Sequence, residues 1–285
     1  MSTSPSIVWL RDDLRLADNP ALTAAAKRGE PVAVLYLLDE ESHGIRPLGG
    51  ATKWWLDRSL AALNADLDGA LILRRGAAAN ELPKLVDEFG AGAVFWNRRY
   101  GGPQREVDAA LKSSLRERGL EVQSFQANLL HEPWTVTTGS GTPFKVFTPF
   151  WRACLDLGEP RHALPRPRFD TVKAKSVELG LRQDWPNDFA EHWTPGEKGA
   201  HDRLVRFVRA DLDDYQEARD EPAQDATSHL SPHLRFGEIS PFHVWEKAKA
   251  AAFRREVGWR EFNWNILYHS PALHTENFRP EFDAF

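Results

Sequence analysis

One cysteine, one methionine, no long apolar run and no internal repeat mark this 285-residue chain. A single thiol, Cys154, cannot close an internal disulfide, and no Cys/His cluster has the spacing of a zinc site. No apolar stretch is long enough to span a bilayer. The opening Met-Ser-Thr-Ser-Pro-Ser lacks the charged region and apolar core of a secretory signal. The expectation from these absences is a reducing, cytoplasmic location with no membrane partner. A large excess of one charge is missing too. With 36 Lys+Arg against 41 Asp+Glu the net charge is −5, which excludes a uniformly basic nucleic-acid binder. A local basic face can still hide in that balance. The ten histidines show no Ser/His/Asp order, and His269 and His274 have no metal-ligand partner at convincing spacing.

What is present reads as a globular protein. A 42% hydrophobic, 27% charged chain of this length can bury two cores. Eleven tryptophans are many; packing accounts for most, and stacking on a base is the other use of such rings. Over the first 130 residues short apolar runs alternate with helical patterns. Strands are expected at 7–10, 32–38, 71–73, 93–96 and 122–125. Helices are expected from Asn19-Pro20 through Ala26, then over 51–67, 80–89 and 104–118. Continuous apolar strands in β-α alternation predict α/β architecture with a doubly wound, parallel five-stranded sheet. Ligands in such sheets lie beyond the strand C-termini, so the loops after Leu10 and Trp96 are candidate positions.

From His131 to about residue 196 prolines, Pro133, Pro149, Pro167 and Pro186 among them, predict a long ordered connector that wraps the surface. From 197 onward the pattern is helical, with Leu204, Phe207, Val208, Leu212 and Tyr215 on one face. The expected division is 1–130 α/β, 131–196 connector and 197–285 all-α.

Several short segments carry chemistry. In Arg11-Asp12-Asp13-Leu14-Arg15, Arg11, Asp12 and Arg15 are either a surface ion network or a functional turn, and Asp18 or Asn19 suits a helix cap. Tyr215 and Arg219, four apart, share a helix face, which alone predicts an arginine over an aromatic ring. The segment Thr227-Ser228-His229-Leu230-Ser231-Pro232 precedes Ser240-Pro241. Both Ser-Pro steps are helix-opening signals. Free hydroxyls there suit a phosphate or pyrophosphate without burying a lone cation; a doubly capped helix start is the alternative. Glu256 and Trp259, three apart, could offer a polar edge and an aromatic platform to an extruded base. Packing of the Trp and solvation of the Glu is the plain alternative. Arg254, Arg255 and Arg260 could meet phosphates.

Taken in order, these strings resemble the DNA photolyase and cryptochrome family, most like a cyclobutane pyrimidine dimer photolyase. The resemblance rests on Val8–Asn19, Trp96-Asn97-Arg98-Arg99-Tyr100, Lys145-Val146-Phe147-Thr148-Pro149-Phe150-Trp151, Tyr215–Arg219, Thr227–Ser231 and Glu256–Phe262, and so covers nearly the whole chain. It implies an antenna-type α/β domain, the connector and the start of a helical FAD-binding domain. Thr227, Ser228, Leu230 and Ser231 would hold FAD phosphates, with His229 in a variable slot and Tyr215 bordering the flavin. Arg219 would lie at the DNA surface. Glu256, Trp259, Arg260 and Asn263 would meet UV-damaged DNA, although Asn263 stands where an aromatic is common. The implied activity is light-driven repair of pyrimidine dimers by a monomer, as a carbon–carbon lyase. A cryptochrome-like receptor and an inactive nucleotide-binding remnant are its rivals.

Three further departures qualify the resemblance. Pro103 and Gln104 replace an Asn-Glu pair of folate-binding members, so a flavin or deazaflavin antenna is expected before a folate. Family members also run well past position 285. The chain is therefore expected to be truncated within the flavin domain, leaving an apolar face on its last helices. The link between Trp245 and Glu256 is also expected to be short.

Overall fold

Strand β1 (Ser6–Leu10) is buried along its whole length and pairs in parallel with β2 (Val32–Leu38) on one side and β4 (Ala93–Asn97) on the other. The computed structural model describes residues 4–183 and 188–284; Pro186 and the terminal Phe285 lie outside the described residues. With β3 (Ile72–Arg75) and β5 (Glu121–Phe125) the strands form one parallel sheet in the order β3-β2-β1-β4-β5. Side chains alternate across it. Val8, Leu10 and Val34 face α1 (Pro20–Lys27) and α2 (Gly50–Asp66) in one apolar cluster. Ile7, Trp9 and Leu35 face α3 (Ala78–Phe89) and α4 (Gly102–Glu117) in another. Burial on both faces is why these strands read as continuous apolar runs.

Successive strands are added on one side of β1 up to β3 and on its other side from β4. The winding order therefore reverses between β1 and β4, which makes their carboxyl ends the switch point where such sheets form a crevice. The expected strand and helix positions hold to within two residues, as do their order and type.

The connector returns to the sheet. Val32 N–H donates to Asp170 O at 2.8 Å, and Val172 N–H to Val32 O at 2.9 Å. Val177 N–H then bonds Leu73 O of edge strand β3 at 3.1 Å. Leu179 and Leu181 enter the α1/α2 cluster. This cover satisfies backbone groups that an open edge would present. Two helices interrupt the connector, α5 (Phe147–Asp156) and α6 (Asp188–His192).

Beyond it come α7 (Glu197–Ala210), α8 (Tyr215–Ala218), α9 (Ser231–Phe236), α10 (Pro241–Lys247) and α11 (Ala251–His269). The helix expected to carry Leu204 through Tyr215 on one face ends at Ala210, so Leu212 lies in the following turn and Tyr215 opens α8. Leu204, Phe207, Leu212 and Tyr215 still share a cluster with Phe253 and Val257 of α11, and Val208 packs against it. Three residues, Ala248–Ala250, link α10 to α11.

Buried polar groups dock the helices onto the sheet's carboxyl end. Arg15, 1% exposed, donates to Gly237 O and Ala127 O, each at 2.9 Å, and to Asp18 O at 3.1 Å. Glu197 accepts Leu16 N–H at 2.7 Å and Ala17 N–H at 2.9 Å. Glu238 accepts Trp55 Nε1–H at 2.9 Å and Gly196 N–H at 2.8 Å, while its other oxygen meets His233 Nδ1 at 2.5 Å. Gly237, at φ +66°, lies so close to the 12–13 backbone that a Cβ would stand 1.9 Å from Asp12 O. Only glycine fits that contact.

Candidate functional site

The loops after β1 and β4 meet in a buried polar knot. Asn97 Nδ2–H donates to Asp13 Oδ2 at 2.6 Å and to Asn19 Oδ1 at 2.8 Å. Asn19 caps α1 by accepting Leu22 N–H at 3.2 Å. Arg11 and Arg99 share Asp108, at 3.2 Å and 2.6 Å, and Arg11 lies 4.2 Å over the Trp9 ring. Burial lowers the Arg11 pKa to about 10. A surface ion network therefore does not describe Arg11 and Arg15: both are buried, because the helical layer covers the end of the sheet. Asp12 alone reaches outward, bridging to Arg235 of α9 at 2.6 Å.

Between these loops and the helices is a cavity of about 590 Å³. That lies within the roughly 300–1,000 Å³ of small-molecule clefts. Arg98, Arg99, Tyr100 and Asn128 form its sheet side. Tyr215, the Thr227–Ser231 segment, Glu256 and Arg260 form its helical side, with Phe253 and Trp264 between them. The strand-end loops and the hydroxyl segment, read from the sequence as two separate sites, are thus walls of one cavity.

The lining arginines are already paired: Arg98 with Glu132 at 2.5 Å, Arg99 with Asp108, Arg235 with Asp12, and Arg260 with Glu261 at 3.1 Å. Thr227 and Ser231, by contrast, are exposed, and their hydroxyls bond to no partner among the described residues. Tyr100 OH is buried without a hydrogen-bond partner among them. A ligand here meets neutral hydroxyl donors backed by neutralised cations, the donor set expected for a pyrophosphate.

Within the segment the residues divide their roles. Ser228 Oγ accepts Leu230 N–H at 3.3 Å. His229 adopts φ +51°, and its Nε2 lies 2.5 Å from Asp225 Oδ1. Leu230 is 1% exposed and anchors the turn in the helical core. One expectation is corrected. Ser231 is not the cap of α9: Leu230 occupies that position, without a side-chain bond, and Ser231 is the first helical residue. The left-handed turn at His229 shifts the helix start by one residue. Ser240 does cap α10, accepting His243 N–H at 3.1 Å.

Tyr215 packs edge-on to Phe253 at 5.3 Å, and Arg219 lies 5.4 Å over the Tyr215 ring, as the i, i+4 spacing predicted. Arg219 also pairs with Glu256 at 2.5 Å, and this hydrogen bond is the main cause of its raised pKa. Glu256 therefore faces both the cavity and an outer depression that it shares with Arg219, Arg255 and Trp259.

Trp259 lies on this outer face, 40% exposed and outside the cavity. Asn263 is not brought to either place; it borders a separate depression with Ile266, Leu267 and Phe278. That depression is a partly uncovered apolar patch on the last helices. Arg254 is not free for phosphate: it lies 3.9 Å over Trp245 and donates to Trp245 O at 2.8 Å.

Sequence reasoning passed over Phe253, Trp264 and Glu261. The first two belong to the α11 stripe 253-256/257-260-264, which its 3-4 spacing makes visible once Glu256 is singled out. Glu261 gave no such signal. Its Oε2 accepts Leu130 N–H at 2.8 Å and His131 N–H at 3.3 Å, and burial pushes its pKa up to about 7.

The sheet, the covering helices and the hydroxyl-lined cavity define an α/β protein with a helical layer and a ligand-sized cleft at their junction. The DNA photolyase family profile matches residues 6–168. The chain belongs to that family. It is 46% identical to a deoxyribodipyrimidine photo-lyase of Agrobacterium fabrum over all of its own length and 64% of that protein's. Cryptochrome-2 of Arabidopsis thaliana is 32% identical over 95% of the chain and 50% of that protein. Among solved structures, a bacterial class III photolyase from Agrobacterium tumefaciens superposes with a TM-score of 0.93 at 45% identity, covering 100% of this chain and 63% of that one. The chain thus spans less than two thirds of the length of the relatives it matches.

Proposed function

We propose that the chain provides the antenna-type half and the first helices of a flavin-dependent photolyase that repairs cyclobutane pyrimidine dimers in UV-damaged DNA. The proposed division is 1–130, 131–196 and 197–285. The observation that carries this reading is the position of Glu256. It lines the hydroxyl-walled cavity on one side and stands beside Trp259 and Arg219 on the outer face.

In this reading Thr227 and Ser231 hold the FAD pyrophosphate through their hydroxyls, Ser228 and His229 shape the turn that presents them, and Tyr215 borders the flavin. Bound reduced FAD would supply light absorption and the electron that splits the dimer. The chain's own part is positional. Trp259 stacks on the extruded lesion, Glu256 and Arg260 meet its polar edges, and Arg219 sits at the DNA surface. A second chromophore would be a flavin or deazaflavin rather than a folate. The protein is read as a cytoplasmic monomer; among the described residues no helix is long and apolar enough to cross a membrane.

The test is to load the purified chain with FAD, record its spectrum, then illuminate the reduced form with a dimer-containing oligonucleotide. Flavin retention is expected; recovery of thymine absorbance as well would establish repair by this span alone. Retention without recovery favours a receptor role, which the similarity to cryptochrome-2 supports. No retention rejects the proposed flavin site in this chain.

A further inference from the structure

The tightest ring stack among the described residues joins α11 to the connector. Phe147 lies parallel to Trp259, with centroids 3.8 Å apart and planes 9° apart. Phe147 is itself buried at the first position of α5, with Trp151 parallel to it at 6.3 Å and Arg255 at 5.7 Å from its ring. Trp151 meets Trp245 edge-on at 6.0 Å, and Trp245 is tied to Glu159 by its Nε1–H at 2.6 Å. Four rings thus form a spine running from the exposed Trp259 into the connector and α10. Gly258 permits the approach: a Cβ there would stand 2.5 Å from the Trp151 ring.

We propose that Phe147 is a positioning residue for lesion recognition, covering one face of Trp259 and fixing its plane so that a base stacks only on the other. This rests on the reading of Trp259 as the lesion platform. An aromatic ring offers two faces to a base, and an unbacked exposed Trp samples several rotamers. With Phe147 against it, the ring has one orientation and one open face. The connector is then part of the DNA face.

The test compares binding of the full chain to dimer-containing and undamaged single-stranded oligonucleotides of equal length. Phe147→Leu should lower the selectivity ratio about five-fold, leave affinity for undamaged DNA unchanged, and be rescued by Phe147→Tyr. Trp259→Ala should lower the ratio about ten-fold. In parallel, the 19F resonance of 5-fluorotryptophan at position 259, assigned through Trp259→Phe, should shift in Phe147→Leu and return in Phe147→Tyr. Loss of selectivity in Trp259→Ala with none in Phe147→Leu overturns the positioning role and leaves the platform reading intact. Equal binding of both oligonucleotides by the unmutated chain, or no effect of Trp259→Ala, overturns both. An unmoved 19F resonance in Phe147→Leu also overturns the inference.

Discussion

At the residue scale, Glu261 is a carboxyl whose burial outweighs its partners. It accepts two backbone N–H groups from the start of the connector and pairs with Arg260, yet its pKa stands at about 7 against an ordinary 4.5. Between those values the folded chain binds a proton that the unfolded chain has released. Stability therefore falls as pH rises through that window, and the loss is complete above it. Glu261→Gln cannot titrate. Measured as unfolding free energy, the unmutated chain should lose at most about 3 kcal/mol relative to this variant between pH 4.5 and pH 7. Parallel curves across the window would show that the carboxyl does not titrate there. Nothing in the order Arg260-Glu261-Phe262 announces this, because the two N–H partners lie about 130 residues away. Arg219 over the Tyr215 ring was legible for the opposite reason: its geometry is set within one helical turn.

At the element scale, the two Ser-Pro steps look alike in sequence and differ in structure. Ser240 caps α10 with its own hydroxyl, whereas Ser231 is already helical and lines the cavity. Ser240→Ala should cost about 1 kcal/mol of stability. Ser231→Ala should cost no more than about 0.5 kcal/mol while weakening flavin retention several-fold. Denaturant titration of both variants checks the contrast, and equal losses would contradict it. The shift at Ser231 comes from the left-handed His229, whose side chain is held by Asp225. No pattern of Ser and Pro alone contains that information. Strands and helices of the first 130 residues were readable, since two-sided burial and amphipathic spacing are local signals.

At the scale of the whole molecule, docking of helices on the sheet depends on a few buried polar side chains. Arg15 serves a carbonyl of its own turn, Asp18, and two from distant segments, at 127 and 237. Arg15→Met leaves those acceptors without a donor and should cost about 3 kcal/mol. The expected sign is earlier proteolytic cleavage around residue 237 and a lower, broader melting transition. An unchanged melt would mean that the apolar contacts alone hold the layers together.

The sequence by itself determined the alternation of the α/β half, the connector's irregular course and the family, because periodicity, proline and short motifs are encoded in neighbouring residues. Only the tertiary structure decided that Arg11 and Arg15 are buried. The same holds for the strand-end loops and the hydroxyl segment sharing one cavity, and for Phe147 backing Trp259. Each depends on groups far apart in the chain, brought together by burial of apolar faces whose partners no local pattern specifies.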